Sequence, residues 1–103
     1  MNKEEISPII LSAVDLMKKV NEGLEVEFIS GMRRVAIGKD ENGLLSPLGV
    51  NSKMTYLGIE KNVFIGYQHC EDMLNPLGHI LAEEMIMDIF KGEILKKYNE
   101  QTR

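Results

Sequence analysis

His79 and Glu83 stand four residues apart in a stretch whose apolar residues recur at helical spacing, so their side chains are neighbours on one helix face. An imidazole and a carboxylate at that separation can ligate a divalent cation or share acid–base work. The plainer account is local: His79 falls in the first turn of its helix, where a polar side chain serves a capping or interfacial hydrogen bond. Four further potential ligands, His69-Cys70-Glu71-Asp72, follow the last expected strand. Successive strand residues point to opposite faces and rarely converge on one ion. His69, His79 and Glu83 are therefore weak metal candidates only. No recurring zinc spacing accompanies them and the chain has one thiol, so neither metal nor cofactor is expected. Cys70 would need His69 or His79 to lower its pKa before it could act as a nucleophile. Strand neighbours diverge, so a small residue at a strand end is the simpler assignment.

A second chemistry is anion binding. Asn75-Pro76-Leu77-Gly78-His79 opens a helix with free N–H groups and a glycine that permits close approach, the arrangement that receives phosphates and carboxylates. Arg33 and Arg34 would complete such a site if the fold carried them there. The candidate ligand-binding set is thus Asn75, Gly78, His79 and Glu83 with Arg33 and Arg34. Most helix starts hold only water. The loop 38–43 is not a P-loop, because no Gly-Lys-Ser/Thr follows it.

These residues hang on elements whose boundaries the sequence marks. Ser7-Pro8 sets a capping hydroxyl before a proline at the first helical position, and Asn75-Pro76 repeats the device with an amide. Ile6 is placed to staple against Leu11. The first helix is expected from Pro8 to about Glu22, ending at Gly23 in the left-handed cap. Ile9, Ile10, Ala13, Val14, Leu16, Met17 and Val20 then share an arc of roughly 160°. After Gly23 the period becomes two: Leu24, Val26 and Phe28 point one way, Glu25 and Glu27 the other. Further strands are expected at Met32–Gly38, Met54–Ile59 and Val63–Tyr67, with a turn at Ser30-Gly31 and a hairpin turn at Glu60-Lys61-Asn62. Residues 39–52 carry the turn signals Asn42-Gly43 and Ser46-Pro47-Leu48-Gly49. They form either a functional loop or conceal a short strand at Leu44-Leu45. The expected fold is α+β: a four-stranded antiparallel sheet in α-β-β-β-β-α order, with two helices packed on one face, as one domain over 1–103.

Composition fits that fold and excludes several classes of function. A hydrophobic fraction of 44% with 27% charged residues is that of a folded domain. Three Phe, three Tyr, no Trp and seven Met imply an aliphatic, adaptable interior. The net charge of −4 and the lack of a clustered basic face, with Arg33-Arg34 the only adjacent arginines, argue against nucleic acid. A single cysteine excludes an intramolecular disulfide framework. Ile9–Leu11 is too short for a signal-peptide core, and no apolar run of about 20 residues offers a membrane span. A cytoplasmic protein without membrane attachment is expected.

The last helix, expected from Pro76 to about Tyr98 through Gly92, is unusual. Leu81, Ala82, Met85, Ile86, Met87, Ile89, Phe90 and Ile94 sweep roughly 240° of its wheel, with Glu84, Asp88 and Lys91 marking the polar side. One sheet face and one neighbouring helix cover less than that. A second copy of the chain is the expected cover, through Leu81, Met85, Ile86, Ile89 and Phe90; the alternative is the loop bearing Leu44, Leu45 and Leu48. The sequence therefore points to a non-enzymatic, homodimeric binding or regulatory module acting on a protein partner or small ligand. The competing readings are an anion or nucleotide binder at the start of the last helix, and a small metal-dependent hydrolase built on His69, His79 and Glu83.

Overall fold

The computed structural model describes residues 6–34 and 47–101, and within them the chain is an α+β fold. Helix α1 spans Pro8–Val20, strands follow at Glu25–Phe28 (β1), Arg33–Arg34 (β2), Leu48–Tyr56 (β3) and Ile59–Gly66 (β4), and helices α2 and α3 span Tyr67–Met73 and Gly78–Gln101. The α+β class, the four-stranded antiparallel sheet and the helices at both ends match the sequence reading. Helix α2 is additional.

Helix α1 starts as its sequence demands: the Ser7 hydroxyl accepts the Ile9 N–H at 3.2 Å, and Ile6 is buried beside Leu11. Ile10, Ala13, Val14 and Met17 enter the core. The helix ends at Asn21, two residues before Gly23, which takes a positive φ of 89°. Asn21 is buried because its side-chain amide has two acceptors there, the Met17 carbonyl at 2.9 Å and the Ala82 carbonyl at 3.3 Å. This one amide satisfies the end of α1 and fastens it to α3.

The sheet is built around β3, and the first two strands do not pair with each other. β1 pairs with Ser52–Thr55 and β2 with Leu48-Gly49, both antiparallel and on the same edge of β3, while β4 lines the other edge. The expected reversal at Ser30-Gly31 is instead a bulge. The Ile29 and Ser30 N–H groups both donate to the Asn51 carbonyl, at 2.8 and 3.3 Å, and the Ser30 hydroxyl accepts the Asn51 N–H at 2.9 Å. The hairpin turn is Leu57-Gly58, not Glu60-Lys61-Asn62. Both turn residues have positive φ, 52° and 77°, the geometry that matches strand twist in a two-residue hairpin. β3 thus begins at Leu48, inside the stretch expected as loop. The proposed strand at Leu44-Leu45, the Asn42-Gly43 turn and the continuation of β2 through Val35 and Ile37 lie outside the described residues.

Alternation sorts the two faces. Val26, Phe28, Val50, Met54, Tyr56, Ile59, Val63 and Ile65 face the helices. Ser52 is buried among them with its hydroxyl donating to the Val63 carbonyl at 2.9 Å. The opposite face is polar: Lys53 bridges Glu27 at 3.2 Å and Glu60 at 3.4 Å across three strands. The hydrogen bond to Glu27 and both carboxylates hold Lys53 above the usual lysine pKa.

The two proline-flanked helix starts are not equivalent. The Asn75 carbonyl accepts the Gly78 N–H at 2.8 Å, closing a β-turn with Pro76 and Leu77 at its corners, and α3 begins only at Gly78. The Asn75 side chain makes no hydrogen bond among the described residues, so it caps nothing. Ser7→Ala should therefore cost about 1 kcal/mol, read as a lower urea midpoint at unchanged slope, while Asn75→Ala should leave the midpoint nearly unmoved.

Candidate functional site

Helix α2 changes the meaning of His69-Cys70-Glu71-Asp72. These residues are helical, so Cys70 and Met73 turn into the core while His69, Glu71 and Asp72 stay on the surface. Burial pushes the Cys70 thiol up to about 12, which keeps it protonated at neutral pH and removes it as a nucleophile. His79 and Glu83 are exposed rather than embedded in apolar surroundings, and no hydrogen bond or ion pair joins them. Among the described residues no three His, Cys, Asp or Glu side chains lie close enough to hold a metal ion. His69, His79 and Glu83 are therefore not brought together.

The start of α3 is likewise short of anion-binding groups. Gly78, Ile80 and Leu81 already donate their N–H groups to the carbonyls of Asn75 and Leu77. Gly78 is buried, and a Cβ added there would overlap the Met73 carbonyl. Its lack of a side chain serves the approach of α3 to the end of α2, not the approach of a ligand. Arg33 and Arg34 sit on β2 beside Leu48-Gly49. Neither lines the grooves that touch Asn75 and His79.

Those two grooves flank the Asn75–Leu77 turn. One, of about 450 Å³, runs between α1 and the turn, with Ser12, Asp15 and Lys19 facing Leu74, Asn75 and His79. The other, of about 520 Å³, lies on the outer side, where Pro76, Leu77, Ile80 and Leu81 make an apolar floor between Asp72 and Glu84. Both fall in the size range of ligand pockets, but both are open at the surface. The sequence placed Asn75 and His79 at this corner. It missed Leu74, Leu77 and Ile80, whose combined exposure only the turn and the position of α2 could reveal.

The outer side of α3 is the larger feature. Ile86 and Phe90, expected at a dimer surface, are core residues at 1% and 0% exposure, and Leu81, Met85 and Ile89 are half-buried. On α3 and at the turn residue that precedes it, the large apolar side chains left in solvent among the described residues are Leu77, Ile80, Met87, Leu95 and Tyr98, exposed by 44–66%; Ile29, Leu57 and Leu74 are exposed elsewhere on the surface. The covered side of α3 drifts along its length. Near its start, Gly78 and Ala82 face α2 and Asn21. Further along, Phe90 meets the Tyr56 ring at 5.6 Å, and Lys61 reaches across to the Ile89 carbonyl and Glu93, both at 2.9 Å. The hydrogen bond from Lys61 holds the Glu93 carboxyl below its usual pKa. This drift explains both the wide apolar sweep in the sequence and the exposure of His79 and Glu83. They lie on the angular sector that the sheet covers only two turns later. Among the described residues, no helix is long and apolar enough to cross a membrane. No family model, curated protein or solved structure matches the chain.

Proposed function

We propose that the chain is a non-enzymatic binding module that works as a homodimer, with the outer side of α3 as its self-association surface. The observation that carries this reading is the row of large apolar side chains in solvent on that helix, Ile80, Met87, Leu95 and Tyr98, continued by Leu77 at the turn before it. Large apolar side chains gathered on one side of a helix mark an interaction surface on a small protein, here interrupted by the exposed Glu84 and Lys91. The metal and thiol chemistries that the sequence offered are not assembled among the described residues, since no three ligating side chains converge and Cys70 is buried. Association through α3 leaves the groove between α1 and the Asn75–Leu77 turn open. With Asp15, Lys19, Asn75 and His79 at its rim, it suits a polar segment of a protein partner or a small polar ligand. Sedimentation at micromolar concentration should give twice the 11.7 kDa chain mass. Met87→Glu should return it to the single-chain mass with its circular dichroism spectrum intact. A parent protein that sediments as a monomer would remove the reading.

A further inference from the structure

The exposed row on α3 has a charge pattern that selects both its occupant and its orientation. Ile80, Glu84, Met87, Lys91, Leu95 and Tyr98 recur at spacings of three and four and fall within roughly 80° of the helical wheel, and Leu77, at the turn before the helix, lines one groove with Ile80 and Glu84. Glu84 and Lys91 are both exposed and make no ion pair within the chain among the described residues. They flank Met87 and Asp88 at equal distances in sequence. A two-fold axis at the Met87–Asp88 step therefore lays this row antiparallel on itself in one register. Glu84 then faces the second copy's Lys91 twice, Met87 lies next to the axis beside the second copy's Met87 and level with its Asp88, Ile80 meets Leu95, and Leu77 meets Tyr98. A parallel arrangement would instead set Glu84 on Glu84 and Lys91 on Lys91, which like-charge repulsion disfavours.

We infer that two copies of this chain associate through α3 as an antiparallel, two-fold helix pair centred at Met87–Asp88, with reciprocal Glu84–Lys91 ion pairs on either side of the centre. The inference rests on the dimer reading above and adds its register. The isologous geometry is that of the commonest closed assembly. The seam spans about 31 Å of helix, with an apolar centre and apolar ends separated by the two ion pairs. The ion pairs set direction and register, and the apolar contacts supply the greater part of the attraction.

Disulfide trapping reads the register directly, with the buried Cys70 as an inert background. Helix axes about 9–10 Å apart, with Cα radii of about 2.3 Å, put facing Cα atoms about 4.4–5.4 Å apart, inside disulfide reach. Met87→Cys should oxidise to a linked dimer. Ile80→Cys alone should not, because its two copies would sit about 22 Å apart along the pair. An equimolar mixture of Ile80→Cys and Leu95→Cys should link to each other. Lys91→Glu should weaken association by about tenfold, and Glu84→Lys with Lys91→Glu should restore it. Self-linking by Ile80→Cys would overturn the antiparallel register. So would a dimer that is indifferent to Lys91→Glu and untrapped by Met87→Cys, and in both cases the dimer itself stands. A parent protein that stays monomeric overturns the inference together with the reading beneath it.

Discussion

Gly78→Ala should destabilise the fold by about 3 kcal/mol, although the change adds one methyl group at a helix start where alanine is the better helix former. The reason is the corner between α2 and α3. Gly78 is buried, and a methyl group on its Cα would overlap the Met73 carbonyl oxygen with the Met73 Cα close behind. These are backbone atoms, so no rotamer change relieves the overlap; α2 and α3 must separate. Separation would pull Ala82 away from Asn21 and withdraw Met73 from the core. For a domain of this size the cost corresponds to a Tm lower by roughly 12–24 °C. Gly92→Ala is the control in the same helix. Nothing lies within 4 Å of a Cβ there, so the substitution should stabilise by up to about 1 kcal/mol through helix propensity. Differential scanning calorimetry of the two variants decides the matter. Equal melting temperatures would mean that Gly78 is not packed on α2, and its place as a ligand-approach glycine would reopen.

The contrast shows where the sequence was readable. α1 and β1 were legible because each satisfies several local rules at once. Ser7-Pro8 opens α1, one apolar arc runs along it and Gly23 follows its end. The alternation from Leu24 to Phe28 then has no competing period. The hairpin was misplaced because of Lys61. A lysine on the inward face of β4 interrupts Ile59, Val63 and Ile65, and Glu60-Lys61-Asn62 therefore resembles a turn. In the fold, its stem lies along the apolar face while its ammonium group reaches the Ile89 carbonyl and Glu93. The true turn was concealed by Leu57, a residue that rarely adopts positive φ. Helix α2 is seven residues long, too short for a period to emerge from Tyr67, Cys70 and Met73. Asn75-Pro76 fits both a helix cap and a β-turn, and only the position of α2 selects the turn.

The candidate site followed the same logic. Asn75 and His79 were singled out as the start of a helix, and they line one groove beside the turn that precedes it. Arg33 and Arg34 were joined to them on charge alone, and the strand pairing puts them on the sheet edge instead. The wheel projection of α3 treats the helix as having one covered side. Its two halves are covered by different neighbours, so a single projection merges core, flank and solvent into one apolar sweep. An interface assigned from that projection selects the largest apolar residues, and these are the ones the core takes first.

Phe90→Ala should accordingly damage folding rather than association. Phe90 is fully buried against Tyr56, at the point where α3 crosses the hairpin end of the sheet. Truncating a buried phenylalanine leaves a cavity and costs about 3–5 kcal/mol, a large part of the roughly 5–15 kcal/mol that holds a typical domain together. Met87, one turn earlier and 53% exposed, has little to lose in the monomer, and Met87→Ala should change folding stability by less than about 0.5 kcal/mol. Urea denaturation monitored by circular dichroism, beside sedimentation at matched concentration, separates the two positions. Phe90→Ala should lower the midpoint markedly, with any loss of association tracking loss of fold. Met87→Ala should keep the midpoint of the single chain and weaken association alone. The reverse pattern, a stable Phe90→Ala variant that no longer associates, would require α3 to be rotated by about a third of a turn. Phe90 would then belong to the interface, and the packing of Tyr56 and Lys61 against this helix would be wrong.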